Sequence, residues 1–335
     1  MARIVFFETE PWEEQFLSAA FPQDSVAFSP ETLESTKQYD KTLFDAEILS
    51  VFAFSQVSAA VLATFSNLKC IVTRSAGFDH IDLSYCKEKG IIVCNVPAYG
   101  VHTVAEHTFA LMLAVARKLI VSVQQARKGN FELTGLTGVN LYGKTLGVIG
   151  AGNIGTVVCE IARGMGMQVV CFNRKPVPQL EQLGVRFVDL DTLLAASDVL
   201  TLHVPATPET KHMINMDNIE KIKKGAILVN TARGPIVETQ AIVYGLEHGI
   251  LSGAGLDVLE EEASIREERE LLSGKFLEKV DLKTQLLNHV LLNRDDVVIT
   301  PHNGFNTKEA LEEILTTTVA DIKAFANGTP QNVVS

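Results

Sequence analysis

Paired cysteines, long apolar runs and an excess of positive charge are all missing from the sequence. Its five cysteines lie scattered in mostly apolar stretches without a C-x-x-C pair, so we expect buried free thiols in a reducing compartment. No apolar run approaches the ~20 residues of a membrane-spanning helix. The chain enters a strand-like run at Met1–Phe7 with no signal peptide before it, which predicts a cytoplasmic protein.

The charge balance excludes a second group of functions. The chain has 29 Lys and Arg against 40 Asp and Glu, a net charge of -11. Such a surface disfavours nucleic acid and anionic membranes as partners, whereas a small anionic substrate needs only a local positive site. With 335 residues, of which 47% are hydrophobic, the chain is long enough for two domains with their own cores.

One stretch organises the rest of the chain. The apolar run Leu146–Ile149 is typical of a buried parallel strand, and Thr156–Arg163 indicates a helix. Three glycines at the G-x-G-x-x-G spacing stand between them: Gly150, Gly152 and Gly155. They permit a tight turn, the close approach of a diphosphate, and helix–strand packing, in that order. A second strand at Gln168–Phe172 completes a βαβ unit that predicts dinucleotide binding at the helix N-terminus.

Strand and helix patterns alternate through the first hundred residues, which predicts a parallel sheet with helices on its faces. The predicted strands are Ile4–Phe7, Ile48–Phe54, Cys70–Thr73 and Ile91–Cys94. The predicted helices are Trp12–Ala20, Val57–Phe65 and Leu83–Lys89.

The same alternation resumes after the glycines. The predicted strands there are Val185–Val188, Val199–Leu202, Ala226–Val229, Ala254–Asp257 and Val297–Thr300. Val101–Ile120 predicts a helix that is apolar on most sides and suits a domain bridge or a subunit interface. Ala263–Asp296 is long and charged and predicts a helical excursion on the surface, and residues 307–327 predict an amphipathic helix.

Three stretches carry chemically useful side chains at the ends of predicted strands: Val229–Gly234, Gly255–Glu262 and Ile299–Gly304. Loops at this edge of an open α/β sheet are where ligands bind. An arginine there can hold a carboxylate through paired hydrogen bonds. A histidine can donate a proton to a growing alkoxide, and a nearby carboxylate can hold the histidine in one tautomer.

With these stretches the chain resembles the D-2-hydroxyacid dehydrogenase family, and within it the D-lactate dehydrogenase-like branch. The resemblance runs through Arg74–Asp82, Val96–Tyr99, Val104–His107 and Thr300–His302. It implies two doubly wound parallel-sheet domains with a cleft between them. The expected flavodoxin-like catalytic domain comprises residues 1–100 plus 300–335, and the Rossmann domain that binds NAD(P) comprises residues 101–299.

The resemblance also implies the catalytic set Arg233, Glu262 and His302. The family's glutamate lies five positions after the aspartate of the Leu-Asp-Val stretch, here Asp257, and this spacing selects Glu262. Glu260 and Glu261 are its close alternatives. We expect no metal ion at this site.

Further roles follow from the same resemblance. The expected substrate-binding residues are Phe54, Ser75, Ala76, Gly77, Tyr99 and Arg233. The expected cofactor-binding residues are Gly150, Gly152, Asn153, Ile154, Gly155, Asn173, Arg174, His203, Pro205, Thr231, Arg233, Asp257 and His302. Asp257 is expected to face the nicotinamide carboxamide, whereas His107 and His212 are expected to be structural. Asn303–Phe305 departs from the residues that usually follow the family's Pro-His pair.

The resulting hypothesis is an oxidoreductase that moves a hydride between NAD(P)H and a small 2-oxo acid, with pyruvate and D-lactate as the first pair. A glyoxylate or hydroxypyruvate reductase would keep the same catalytic set. A nucleotide-sensing protein related to the family's corepressors is the alternative from another class, although we recognise no extra interaction segment. We expect a homodimer formed through the Rossmann domain and the helix Val101–Ile120.

The end of the second Rossmann strand bears on cofactor choice. NAD-specific enzymes carry an acid ~20 residues after the glycines to bind the 2′-hydroxyl of the adenine ribose. Asn173 stands at that place, followed by Arg174 and Lys175. Without the repulsive carboxylate, and with Arg174 available to a 2′-phosphate, we expect NADPH to be accepted, alone or beside NADH.

Overall fold

The structure of the protein is a computed structural model that describes residues 2–35, 43–262 and 281–334. The chain divides into two compact units, Met1–Gly100 with Asn306–Ser335, and Val101–Phe305. Within the described ranges, one unit has a five-stranded sheet and the other a seven-stranded sheet. Every strand pairing in both sheets is parallel, so the predicted α/β fold class is confirmed.

The elements follow one another in βα alternation. The strands of the described residues are β1 (Arg3–Phe7), β2 (Ser25–Ser29), β3 (Ile48–Val51), β4 (Cys70–Thr73), β5 (Ile92–Cys94), β6 (Thr145–Ile149), β7 (Gln168–Phe172), β8 (Arg186–Phe187), β9 (Val199–Leu202), β10 (Ala226–Asn230), β11 (Leu251–Leu256) and β12 (Val297–Ile299). The α-helices of the described residues are α1 (Pro11–Ala20), α2 (Ala59–Leu62), α3 (Leu83–Lys89), α4 (Val101–Ala116), α5 (Leu119–Arg127), α6 (Asn153–Gly164), α7 (Pro178–Gln182), α8 (Leu190–Ala196), α9 (Thr239–Glu247), α10 (Leu282–Leu292) and α11 (Lys308–Ala326). Short 3₁₀ turns lie at Ile219–Lys221 and Gly234–Ile236.

The first unit has the strand order β2-β1-β3-β4-β5, the flavodoxin-like arrangement. All residues of β3 and β4 are buried, because helices cover both faces of the sheet. Leu17 of α1 and Leu315 and Ile322 of α11 belong to the apolar cluster on one face. None of the helices in the described ranges combines the length and apolar character needed to cross a membrane.

The second unit has the order β12-β11-β10-β9-β6-β7-β8, which is the Rossmann order extended by one strand. The strands that follow β6 in the chain first extend the sheet on one side, with β7 and β8, and then on the other side, from β9 onward. Every residue of β9 and β10 is buried, and the core on either side consists of aliphatic side chains. Loops at the carboxyl ends of β6 and β9 therefore meet at the place where this fold binds ligands.

Several elements differ from their predicted bounds. β3 ends at Val51 instead of Phe54, because the Phe52 and Phe54 N–H groups donate to the Glu8 carboxylate and not to a neighbouring strand. β2 was not predicted, since serines at both ends leave only three apolar residues between them.

The long helix predicted at Val101–Ile120 is two helices. α4 ends at Ala116 because the Ala116 carbonyl accepts from the Val139 N–H at 2.8 Å. Lys118 then adopts a left-handed conformation with φ 48°, and α5 begins after it. The predicted continuous helix is therefore interrupted at Lys118.

The boundary between the units also differs, lying at 305/306 instead of 299/300. Hydrogen bonds hold the segment after β12 to the end of β11: the His302 N–H donates to the Asp257 carbonyl at 2.8 Å, and the Gly304 N–H to the Asp257 carboxylate at 2.9 Å. His302 therefore belongs to the Rossmann unit. Of the predicted excursion Ala263–Asp296, residues 263–280 lie outside the described residues, and α10 occupies much of the remainder.

Candidate active site

The glycine-rich turn connects β6 to α6. Gly150 has φ 96°, a left-handed conformation that a side chain disfavours. A Cβ atom on Gly155 would lie 1.9 Å from the Gly150 carbonyl oxygen, so only glycine lets the helix approach the turn this closely. Gly152 is different, because its φ is −74° and a Cβ there would meet nothing within 4 Å. It is the residue before α6, whose first N–H groups offer an anion site together with Asn153 and Ile154.

Asn173 and Arg174 follow β7. The Asn173 side-chain oxygen accepts from the Ala151 N–H at 3.2 Å, and its amide nitrogen donates to the Lys175 carbonyl at 2.8 Å. Asn173 thus ties the end of β7 to the glycine-rich turn. Arg174 is exposed. The pKa of Glu209 is lowered first by a hydrogen bond from Thr207 and, more weakly, by the Arg174 charge, so these two charges interact.

His203 and Pro205 follow β9, the strand next to β6 in the sheet. The His203 N–H donates to the Ile149 carbonyl at 2.7 Å, and its Nε2 lies 3.0 Å from the Thr201 hydroxyl. Burial lowers the pKa of His203 to about 3, so the ring is neutral at pH 7. Pro205 is exposed. This loop therefore offers apolar, uncharged surface beside the glycine-rich turn.

Thr231 and Arg233 follow β10. The Thr231 hydroxyl lies 2.8 Å from the Thr108 hydroxyl of α4 and is buried. The Asn230 side chain shapes the loop, since it accepts from the Ala232 N–H at 3.0 Å and donates to the Arg233 carbonyl at 2.9 Å. The Arg233 guanidinium is partly buried and donates to the Ala232 carbonyl at 2.8 Å. Asn230 thus sets the backbone that carries the predicted arginine.

Asp257 follows β11 and holds the loop after β12. One carboxylate oxygen accepts from the Thr300 hydroxyl at 2.5 Å and the Asn303 N–H at 3.0 Å. His107 Nε2 lies 3.0 Å from the Thr300 hydroxyl and 3.4 Å from the same carboxylate. Burial raises the pKa of Asp257, but hydrogen bonds from His107, Thr300 and the Gly304 N–H lower it more, and the net pKa is below the ordinary value.

This network was not predicted. Asp257 was expected to face the nicotinamide carboxamide, and His107 and Thr300 had no assigned chemistry. In the structure, both carboxylate oxygens accept hydrogen bonds from the loop that carries His302, and only 3% of Asp257 is exposed. The signal in the sequence was a polar His107 directly before the apolar second half of the helix.

The three consecutive glutamates after Asp257 have different partners. Glu262 Oε1 lies 2.7 Å from His302 Nδ1, and its other oxygen accepts from the Leu259 N–H at 3.3 Å. Glu260 instead contacts His212 Nε2 at 2.6 Å and accepts two hydrogen bonds from Thr239. Glu261 is exposed with φ 55°. Among the three, it is therefore Glu262 that contacts His302, as the family spacing predicts.

His302 has φ 52°, a left-handed conformation that is uncommon for a non-glycine residue. Asp257 accepts hydrogen bonds from the backbone N–H groups of residues 302–304, and these bonds offset the cost of the left-handed conformation in the folded state. Arg233, Asp257 and His302 follow β10, β11 and β12, three neighbouring strands. Among the described residues, no group of three or more His, Cys, Asp or Glu side chains is placed to hold a metal ion.

The remaining predicted residues lie in the first unit, at the carboxyl ends of its strands. The Ser75 hydroxyl donates to the Gly77 carbonyl at 2.6 Å, and Asn95 donates to the Ala76 carbonyl at 2.8 Å. These bonds set the shape of the loop after β4, where Ala76 is exposed. After β3, the Phe54 ring meets the Phe52 ring edge-on at 5.5 Å, and after β5 Tyr99 is partly buried.

A Rossmann sheet with a glycine-rich turn and a hydrogen-bonded His–Glu pair is typical of a nicotinamide-dependent dehydrogenase. The family model described as D-isomer specific 2-hydroxyacid dehydrogenase, NAD binding domain, matches residues 109–304. The D-lactate dehydrogenase of Escherichia coli is 34% identical over 97% of each chain. The hydroxypyruvate reductase of Thermotoga maritima is 35% identical over 94% of this chain and 95% of its own.

Solved structures agree with these relatives. The D-lactate dehydrogenase of Aquifex aeolicus complexed with NAD and lactic acid matches with a TM-score of 0.86 and 38% identity, covering 97% of this chain and 96% of that one. The protein belongs to the D-isomer specific 2-hydroxyacid dehydrogenase family, in its D-lactate dehydrogenase-like branch. The predicted family is thus confirmed, and the relatives support D-2-hydroxyacid dehydrogenase activity with NAD(H).

Proposed function

We propose that this protein reduces small 2-oxo acids to the D-2-hydroxy acids with NADH or NADPH, and that pyruvate is its first substrate. The contact of 2.7 Å between His302 Nδ1 and Glu262 Oε1 carries this proposal. Because Nδ1 faces the carboxylate, Nε2 is the nitrogen left to give a proton to the substrate oxygen. Arg233 follows a neighbouring strand and supplies the cation that a 2-oxo acid requires.

The proposed roles balance the reaction. The bound nicotinamide cofactor supplies the hydride to the carbonyl carbon. The electron pair of the carbonyl π bond moves to the oxygen, and His302 Nε2 donates the proton that neutralises this oxygen. Glu262 stabilises the imidazolium before that transfer. Arg233 binds the substrate carboxylate, and the Ser75, Ala76 and Gly77 N–H groups are the proposed second contact, with Phe54 and Tyr99 facing the substrate side chain.

The residues present fit a dinucleotide. Neither backbone conformation nor packing requires glycine at 152, because a Cβ atom there would extend into open space. A diphosphate at the N-terminus of α6 would need that space, and this supplies the missing reason for the glycine. Asn153, Ile154 and Gly155 would hold the diphosphate, His203 and Pro205 would line the adenosine side, and Thr231 and Asp257 would complete the cofactor site.

We propose that NADPH is accepted beside NADH. Asn173 places a neutral amide where a carboxylate would repel a 2′-phosphate, and the exposed Arg174 offers a positive charge. The Glu209 carboxylate interacts with Arg174 and would compete with the phosphate. We therefore expect Asn173→Asp to lower kcat/KM for NADPH and Glu209→Gln to raise it. A parent that strongly prefers NADH, or an Asn173→Asp variant with undiminished NADPH use, would contradict this assignment.

We also propose a homodimer formed through the Rossmann unit. α4 and α5 expose Leu113, Leu119, Ile120 and Val123, and Phe131, Leu133 and Tyr142 are each about four-fifths exposed. Light scattering at micromolar concentration should give twice the chain mass, and Phe131→Glu combined with Leu133→Glu should give the monomer. A monomeric parent would refute the proposal. The cytoplasmic location stays a prediction from the sequence.

Steady-state reduction of a panel of 2-oxo acids tests the function. Pyruvate, glyoxylate, hydroxypyruvate and 2-oxobutyrate are each offered with NADH and with NADPH, and product chirality is measured. We expect the highest kcat/KM with pyruvate and a D product. Preference for hydroxypyruvate or glyoxylate would favour the reductases among the relatives. NADH binding without turnover on any acid would indicate a nucleotide-sensing protein instead.

A further inference from the structure

A buried arginine lies at the carboxyl edge of the five-stranded sheet, in a position for which we predicted no role. Arg74 follows β4 directly and none of its surface is exposed. One of its terminal nitrogens donates to the Phe7 and Glu8 carbonyls at 2.7 and 2.8 Å, and the other to the Ser50 hydroxyl at 3.3 Å. Arg74 therefore ties the ends of β1, β3 and β4 together immediately before the Ser75–Gly77 loop.

Glu8 is the second member of this network. It follows β1 with φ 58°, and its carboxylate accepts three hydrogen bonds from the loop after β3. Oε2 accepts from the Phe52 N–H at 2.8 Å and the Ser55 hydroxyl at 2.6 Å, and Oε1 from the Phe54 N–H at 3.0 Å. Burial raises the pKa of Glu8, whereas these hydrogen bonds and the Arg74 charge oppose the shift. The charged form of the buried carboxylate is therefore stabilised by these partners.

We propose that Glu8 is a positioning residue for the substrate, because its carboxylate fixes the Phe52–Ser55 loop and with it the Phe54 ring. This inference rests on the proposed function, in which Phe54 faces the substrate side chain. Glu8 lies at the end of β1, remote in sequence from every predicted site residue, and it affects which 2-oxo acids fit by holding Phe54. The proton donor His302 belongs to the other unit, where Glu262 holds it.

Glu8→Gln removes one acceptor selectively. A glutamine keeps most bonds when its oxygen takes the place of Oε2, facing Phe52 and Ser55. Its NH₂ group then faces the Phe54 N–H, and two donors cannot pair. The variant therefore releases the backbone of Phe54 while keeping the volume of the side chain.

Glu34→Gln is the matched control. The Glu34 carboxylate accepts a hydrogen bond at the end of the same loop, from the Gln56 N–H at 3.0 Å, but Glu34 and Gln56 are both exposed and Gln56 comes after Phe54. The same chemical change on the same loop should leave substrate selection alone.

The test compares parent, Glu8→Gln and Glu34→Gln in steady-state reduction of pyruvate and of the bulkier 2-oxopentanoate, with melting temperatures measured in parallel. For Glu8→Gln we expect KM for pyruvate to rise about tenfold with kcat within about twofold, as for loss of uniform binding. The kcat/KM for pyruvate divided by that for 2-oxopentanoate should fall, and KM for NADH should stay at the parent value. Glu34→Gln should match the parent throughout.

A Glu8→Gln variant with parental KM and an unchanged ratio between the acids would overturn the inference, even with a lower melting temperature. Loss of kcat at parental KM would overturn it as well. If Glu8→Gln does not fold, Ser55→Ala removes one bond to the same carboxylate and should raise KM by a smaller factor; unchanged KM there refutes the proposal. A parent without turnover on any 2-oxo acid would instead refute the proposed function, so the two failures are distinguishable.

Discussion

Replacing Glu262 by glutamine tests the pair on which the proposed reaction depends. The substitution keeps the size of the side chain but removes the negative charge 2.7 Å from His302 Nδ1. The single oxygen of the glutamine can still accept from Nδ1–H, and its NH₂ group then takes the place of the oxygen that accepts from the Leu259 N–H at 3.3 Å. A neutral amide can still hold one tautomer of the ring. It stabilises the protonated ring much less than a carboxylate does, so the variant separates orientation from charge.

The size of the effect follows from the exposure of the pair. A hydrogen bond to a charged group contributes about 1.5–3 kcal/mol. The side chains of Glu262 and His302 are 34% and 22% exposed, so solvent screens the pair and the lower end of that range applies. A loss of about 1.5 kcal/mol is about tenfold in rate, and the variant without the negative charge should lose its reductive activity at a lower pH than the parent.

The assay is kcat/KM for pyruvate reduction between pH 6 and pH 9. Two neighbouring glutamates supply the controls. Glu261→Gln changes an exposed side chain and should match the parent. Glu260→Gln breaks the contacts with His212 and Thr239, so it should lower the free energy of unfolding while leaving the alkaline limb in place. His302→Ala sets the scale, with an expected loss of about 10²–10⁴-fold in kcat.

An unchanged alkaline limb in Glu262→Gln would refute the pairing, whatever happens to kcat. If the alkaline limb shifted in Glu260→Gln and not in Glu262→Gln, Glu260 would be the partner of His302, which contradicts the observed contact between Glu262 and His302. Parental activity in His302→Ala would refute the whole acid–base assignment.

Three further predictions test other parts of the site. Arg233→Lys keeps the charge but loses the fork, so KM for pyruvate should rise at least about tenfold with little change in KM for NADH; parental KM would exclude Arg233 as the carboxylate anchor. Gly155→Ala places a Cβ 1.9 Å from the Gly150 carbonyl. It should lower the free energy of unfolding by about 1–3 kcal/mol in urea titrations and weaken NADH binding, and a variant as stable as the parent would contradict the close approach. His203, with its pKa of about 3, stays neutral when folded but takes up a proton when unfolded below pH 6.5. Stability should therefore fall by about 2 kcal/mol between pH 7 and pH 5, and His203→Gln should lose that part of the dependence.

Most of the regular structure was predictable because it depends on local pattern. The apolar runs of β4, β9 and β10 are buried on both faces, and such runs are recognisable from composition alone. The glycine-rich turn was predictable for the same reason, since Gly150 needs its left-handed φ and Gly155 its close contact. β2 was missed because its serines contradict the pattern that the buried strands share.

The ends of elements were harder to predict, because distant groups decide them. β3 stops where the Glu8 carboxylate takes the next N–H groups, and α4 stops where Val139 takes the Ala116 carbonyl. In both cases the competing partner lies far away in sequence. Periodicity carries no information about such a partner.

The sequence by itself determined the two parallel α/β sheets, the dinucleotide turn and the family, because each depends on residue type at short, regular spacing. The family spacing selected Glu262, but only the tertiary structure showed why its neighbour Glu260 has another role, since Glu260 is held by His212 and Thr239 from other segments. Only the fold could also show that Asp257 binds the loop that carries His302. Adjacent glutamates are chemically equivalent in the sequence. They acquire different roles because packing in the folded protein determines which partner each carboxylate can reach.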